Sequence, residues 1–166
     1  TMKNLRSIDI PRVLTIAGSD SGGGAGIQAD LKTFAANGVY GTSAVTAITA
    51  QNTTDVTEVL ELPIELVESQ IDAVLEDIGT DVVKTGMLSN GDIVRGVASK
   101  MREHSIKVLV VDPVMIAKGG HSLLDKGAVE TIREVPLPIA TVVTPNIPEA
   151  SALTGIEIRD IDMAKE

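Results

Sequence analysis

The sequence predicts an α/β chain with a mostly parallel central sheet. Three observations carry this. Short apolar runs alternate with amphipathic helical patterns, strand then helix, five times over. The apolar fraction of 43% comes almost wholly from Val, Ile, Leu and Ala, with one Phe and one Tyr, a composition that suits strands buried on both faces. The polar and glycine-rich residues gather at the C-terminal ends of the apolar runs, where ligands sit in sheets of this kind.

In chain order, residues 1–12 are polar and unpatterned and read as a flexible tail ahead of a single domain over 13–166. The first strand is predicted over 13–17. A helix follows over 25–36, with Ile27, Leu31 and Phe34 on one face and Asn37-Gly38 closing it. Residues 41–50 read as a second strand ending in the polar loop Gln51-Asn52-Thr53-Thr54. Ile64, Val67, Ile71, Val74, Leu75 and Ile78 then form an apolar stripe, with Pro63 just ahead of the helix and Gly79 just past it. Residues 81–85 are the next strand, and 92–103 a helix through Ile93, Val94, Val97 and Met101. Residues 108–111 are a central strand ending in Asp112-Pro113. A helix over 123–134, a strand over 140–143 and a short helix from Ile147 complete the pattern.

The chain is organised around Ala17-Gly18-Ser19-Asp20-Ser21-Gly22-Gly23-Gly24-Ala25-Gly26-Ile27-Gln28-Ala29-Asp30, where a strand runs into five glycines within nine residues and then into a helix start. Glycine lets backbone amides approach a ligand closely, and the helix N-terminus adds unpaired N–H groups. Asp20 and Asp30 would repel a bare phosphate but accept hydrogen bonds from hydroxyl or amino groups, so a ligand other than bare phosphate is expected here. No glycine here is followed by Lys and then Ser or Thr, which excludes a P-loop. Gly24-Ala25-Gly26-Ile27-Gln28-Ala29 fits a dinucleotide fingerprint in form. It lies too far from its strand, however, and the second strand ends in Gln51 where an acidic ribose ligand would stand.

A net charge of −9 without a basic run or aromatic platform argues against nucleic acid. The absence of Cys excludes a disulfide framework and a thiolate nucleophile. No apolar run is long enough for a membrane span and no signal peptide is evident, so a cytoplasmic protein is expected.

The blocks from Ala17 to Phe34, Thr46-Ala47-Ile48-Thr49-Ala50-Gln51-Asn52-Thr53, Lys84-Thr85-Gly86-Met87-Leu88, Val111-Asp112-Pro113-Val114-Met115 and Thr144-Pro145-Asn146-Ile147-Pro148-Glu149-Ala150 closely resemble the hydroxymethylpyrimidine/phosphomethylpyrimidine kinases. These are thiamine-biosynthesis enzymes of the ribokinase-like superfamily. The resemblance implies a three-layer αβα fold, ATP and Mg²⁺ as cofactors, a hydroxymethylpyrimidine substrate and a homodimer. It places Gly18, Asp30, Gln51, Met87 and Val114 around the pyrimidine. Asp112, Asn146 and Glu149 fall on the nucleotide side, with Asp112 and Glu149 toward the metal. Asn146 and Glu149 also have the spacing of a helix capping box, and Met87 and Val114 could equally be core. Lys118 could steady a phosphate or simply be solvated. A pyridoxal kinase of the same superfamily and a non-catalytic pyrimidine-binding module are the alternative readings. Family members continue into a Gly-Thr-Gly-Cys segment that supplies the anion hole and leads to the base. That segment is not in these 166 residues, so a C-terminally truncated kinase with its base beyond Glu166 is expected.

Overall fold

The computed structural model describes residues 10–115 and 126–165. Strands β1 (Arg12–Ala17), β2 (Tyr40–Val45), β5 (Val82–Thr85), β6 (Leu109–Val111) and β7 (Val142–Val143) form one sheet in the order β2-β1-β5-β6-β7. Every pairing in it is parallel. Strands β3 (Ala47–Gln51) and β4 (Val56–Glu61) form a separate antiparallel pair.

Side-chain alternation decides which sheet face carries which chemistry. Leu14, Ile16, Ala44, Val83, Leu109 and Val111 face one way, into the core. There they meet α2 (Ile64–Asp77), α3 (Gly91–Glu103), α4 (Lys126–Glu134) and α5 (Ile147–Thr154). The stripes read from sequence supply the contacts: Val67 and Ile71 from α2, Ile93, Val94, Val97 and Met101 from α3, and Leu153 from α5. Complete burial of side chains of this size is worth roughly 1.5–3 kcal/mol each, which makes this layer the main source of stability. The opposite face carries α1 (Gly26–Ala36) against β1 and β2, and no α1 residue is fully buried. The three layers are therefore unequal, with an apolar core on one side and a polar site on the other.

Local chemistry explains the ends. Pro63 is the N-cap of α2, and Gly79, at φ +73°, lies just past the Ile78 C-cap and donates back to the Val74 carbonyl at 2.9 Å. Asn90 caps α3 by accepting from the Asp92 and Ile93 amides. Gly155 ends α5 in the left-handed region at φ +74°.

Three expectations need correction. The segment 41–50 is two strands rather than one: at Thr46 the chain leaves the main sheet, the Thr46 amide still donating to Ala17 while its carbonyl accepts from Leu62. The strict strand–helix alternation is broken by this β3–β4 pair, and β4 falls in a stretch to which the sequence pattern assigns no element. Its outer face stays exposed, with Ile48 and Leu60 opposite each other, so it lacks the burial that gives strands their apolar pattern. Finally, the tail does not extend to Arg12. Pro11 accepts from the Tyr40 amide, and Arg12 bonds Asp81 and the Ile78 carbonyl, which anchors both residues. Residues 1–9, and Lys118 with its loop, lie outside the described residues.

Asp72 on α2 holds Lys100 at 2.8 Å and His104 at 2.8 Å on α3. The bond from Lys100, then that from His104, keeps the Asp72 carboxyl below its ordinary value. A depressed acid contributes stability above its unfolded-state pKa and loses it as pH falls through the folded-state value. Asp72→Asn should therefore lower the thermal unfolding midpoint at neutral pH, with the gap closing as pH drops through the carboxylate range. A gap independent of pH would show that the contact is not electrostatic.

Candidate active site

Residues 18–25 connect β1 to α1 with almost no apolar side chain to anchor them. They are held instead by Asp20, which is only 4% exposed. Its Oδ1 accepts from the Gly22 amide at 2.8 Å, and its Oδ2 from Gly24 at 2.9 Å and Ala25 at 2.7 Å. Its own amide donates to Gln28 Oε1 at 2.8 Å. Asp20 thus anchors the loop from inside, its carboxylate taken up by three backbone amides, while it also borders the cavity that the loop helps to form. Gly26, at φ +58°, tucks so tightly that a Cβ there would lie 2.5 Å from the Gly18 carbonyl oxygen, so only glycine fits.

The loop is then stitched to its neighbours. The Gly18 amide donates to the Met87 carbonyl at 3.2 Å and the Ser19 amide to Ala47 at 2.8 Å. Thr46 Oγ1 also donates to the Met87 carbonyl, at 2.7 Å. Ser21 Oγ bridges the backbone of Gln51, accepting from its amide and donating to its carbonyl. A side chain at position 18 would collide with the Met87 methyl.

These contacts enclose a cavity of about 300 Å³ at the carboxyl ends of the strands. Its lining includes Gly18, Asp30, Gln51, Met87, Asp112 and Val114. All five residues expected around the pyrimidine therefore share one pocket with Asp112. Met87 and Val114 supply apolar walls, and Gln51 supplies an amide. Thr49 Oγ1 lies 3.4 Å from Gln51 Oε1. Nothing among the described residues bonds Gln51 Nε2, so the amide can still donate.

Asn146 and Glu149 do not line the cavity. They stand one strand over, where the Thr144 amide donates to the Val111 carbonyl at 3.0 Å. There they form a capping box on α5: Asn146 Oδ1 accepts from the Glu149 amide and Glu149 Oε2 from the Asn146 amide, each at 2.9 Å.

Lys84 and Thr15 are the site residues the sequence reading passed over. Thr15 and Lys84 are paired across β1 and β5, so both project toward α1. Lys84 Nζ lies 3.0 Å from Asp30 Oδ2 and 3.6 Å from Asp112 Oδ2. Thr15 Oγ1 donates to Asp30 Oδ2 at 2.6 Å. Burial pushes the Asp112 carboxyl above its ordinary value, opposed by Lys84 and reinforced by the charge of Asp30. One signal was available: a lysine inside the otherwise apolar strand Val82–Thr85 must find a partner or reach water.

A pocket of this composition at the carboxyl edge of a parallel sheet, with a glycine-rich first turn, defines a small-molecule site on a ribokinase-like α/β fold. Solved structures agree with that class. A phosphomethylpyrimidine kinase from Clostridium difficile superposes with a TM-score of 0.87 at 51% identity, covering 93% of this chain and 67% of that one. A Staphylococcus aureus pyridoxal kinase in complex with AMP-PCP and pyridoxal gives a TM-score of 0.83 at 39% identity, covering 94% and 56%. The chain belongs to the phosphomethylpyrimidine kinase family, whose profile matches residues 20–166. A hydroxymethylpyrimidine/phosphomethylpyrimidine kinase from Bacillus subtilis is 54% identical over 159 residues, which are 96% of this chain and 59% of that enzyme. The chain thus spans a little over half the length of that relative. Among the described residues, no helix is long and apolar enough to cross a membrane.

If Asp20 is the anchor of the loop, Asp20→Ala should destabilise the fold by at least about 2 kcal/mol, since three amides lose a charged acceptor. Urea unfolding checks this. A loss below about 0.5 kcal/mol, no more than an ordinary surface substitution causes, would mean that the loop holds its shape by other contacts.

Proposed function

We propose that this chain provides the substrate pocket of an ATP- and Mg²⁺-dependent kinase acting on 4-amino-5-hydroxymethyl-2-methylpyrimidine and on its monophosphate, in thiamine biosynthesis. The single observation that supports the reading most is the convergence of Gly18, Asp30, Gln51, Met87 and Val114 on one cavity. Its chemistry matches the ligand. An aminopyrimidine edge presents donor and acceptor side by side, which the Gln51 amide can meet with one of each. The flat ring needs apolar walls, and Met87 and Val114 line the cavity for them. The Asp30 carboxylate can accept from an amino or hydroxyl group. Gly18 leaves the backbone bare beside Met87, so a planar ring can lie close.

Asp112, one strand further along, supports the phosphate side of the reading. Its side chain is about one-third exposed, at 34%, at the edge of the same cavity. Among the described residues no cluster of three or more His, Cys, Asp or Glu side chains could hold a metal. A single accessible carboxylate fits Mg²⁺, which keeps most of its waters and takes one or two protein oxygens. When bound, Mg²⁺ would supply charge neutralisation for the transferring phosphoryl group. Asn146 and Glu149 belong to that side in this reading. The capping box orders the N-terminus of α5, whose amides and dipole favour an anion nearby.

Two outcomes test the assignment. Gln51→Ala should weaken hydroxymethylpyrimidine binding by roughly 1–3 kcal/mol, the cost of leaving buried polar edges unpaired. Calorimetric titration with the pyrimidine and, in parallel, with pyridoxal measures it; tighter pyridoxal binding by the wild type would shift the assignment to a pyridoxal kinase. Asp112→Asn should lower turnover and raise the Mg²⁺ concentration needed for half-maximal rate, because a hard cation loses one charged oxygen. Unaltered turnover and Mg²⁺ dependence would remove Asp112 from the metal side.

A further inference from the structure

Three charged groups meet on the α1 face of the sheet, and Lys84 lies between the other two. Both Asp30 oxygens contact Lys84 Nζ, at 3.0 and 3.2 Å, and Asp112 Oδ2 lies 3.6 Å from the same nitrogen. The side chains of Lys84 and Asp30 are only 21% and 18% exposed. Water therefore screens the cluster weakly. Thr15, fully buried, fixes Asp30 from below through Oδ2. Among the described residues Asp30 Oδ1 accepts only from Lys84, so it keeps a free lone pair toward the cavity. Gly86 leaves room for the ammonium: a Cβ there would lie 3.1 Å from Lys84 Nζ and 3.0 Å from Ala17 Cβ.

We propose that Lys84 is a positioning residue, the shared counter-ion that holds Asp30 and Asp112 side by side and aims the Asp30 carboxylate at the donor groups of the pyrimidine. The proposal rests on the pyrimidine reading for its ligand, but not for its electrostatics. Lysine suits the task because its ammonium is a compact charge with three donors, able to serve two carboxylates that approach from a helix, α1, and from the end of a strand, β6. Without it, two carboxylates would face each other across a poorly hydrated gap and repel. Asp30 would swing away from Thr15 and from the substrate.

A substitution cycle separates this role from general structural support. Lys84→Met, Asp112→Asn and the double variant are compared with wild type in the whole 166-residue chain. Two readouts are taken: the affinity for 4-amino-5-hydroxymethyl-2-methylpyrimidine by calorimetry, and the urea midpoint of unfolding. Lys84→Met should weaken pyrimidine binding at least tenfold and lower the midpoint. Adding Asp112→Asn removes one of the two carboxylates left without their cation, and with it their mutual repulsion. The double variant should therefore bind at least threefold tighter than Lys84→Met and regain part of the midpoint.

A double variant no better than Lys84→Met in either readout overturns the proposal, because a merely structural lysine is not rescued at Asp112. Should both variants fail to fold, the proposal is overturned in the same way. A midpoint that is rescued while affinity is not would refute the aiming of Asp30 and leave only the counter-ion. A wild type that binds no pyrimidine, with the midpoint still rescued, would instead sink the substrate assignment and uphold the charge bridge.

Discussion

The Asp20 carboxylate is the constraint on which the site depends. A loop over 18–25 rich in glycine has many conformations to lose and little apolar surface to bury, so nothing in its composition favours one shape. Three amides converging on one buried carboxylate supply that preference, because an acceptor taken out of water must be satisfied where it stands. Once the loop is set, the Gly18 and Ser19 amides reach the backbone of Met87 and Ala47. The apolar wall and the start of β3 are thereby drawn to the same cavity. Pocket shape follows from loop shape, and loop shape from one side chain.

The second layer of control is electrostatic and serves placement more than stability. Removing two ions from water costs several kcal/mol each, and their attraction often does no more than offset this. The Asp30–Lys84 pair is therefore weak evidence for a stabilising device, whereas the apolar layer under α2 to α5 is ample for that purpose. What the pair does achieve is geometric. It ties a residue of α1 to the edge of β5 and, through the same nitrogen, to the end of β6. The substrate side and the phosphate side of the proposed reaction are then joined by one charge, which suits a transfer whose catalysis is mostly positioning.

Much of this was legible before any coordinates. The helix stripes and buried strands were readable because burial imposes a period, and their residues do form the core. The ligand edge was readable because polar residues interrupt apolar strands only where function or chain reversal requires it. What stayed hidden was tertiary in origin. The outer face of β3 and β4 is exposed, so Val56–Glu61 lacks the pattern of a buried strand. The break at Thr46 depends on which neighbour takes each backbone group, and no local residue announces it. Asp20 and Asp30 look alike in the sequence and both border the cavity, yet the Asp20 carboxylate is taken up by three amides of its own loop while that of Asp30 is held by Lys84 and Thr15. Only the fold separates an anchor from a ligand group.

The central claim is that the loop, the β3 end and the Met87 turn form one preorganised pyrimidine pocket. Amide chemical-shift mapping of the chain during titration with 4-amino-5-hydroxymethyl-2-methylpyrimidine tests it most directly. The account predicts perturbations concentrated at Gly18, Asp30, Thr49, Gln51, Gly86 and Met87, with the α2 to α4 layer unmoved. Saturable shifts centred on that helical layer, or on the exposed face of β3 and β4, would contradict it.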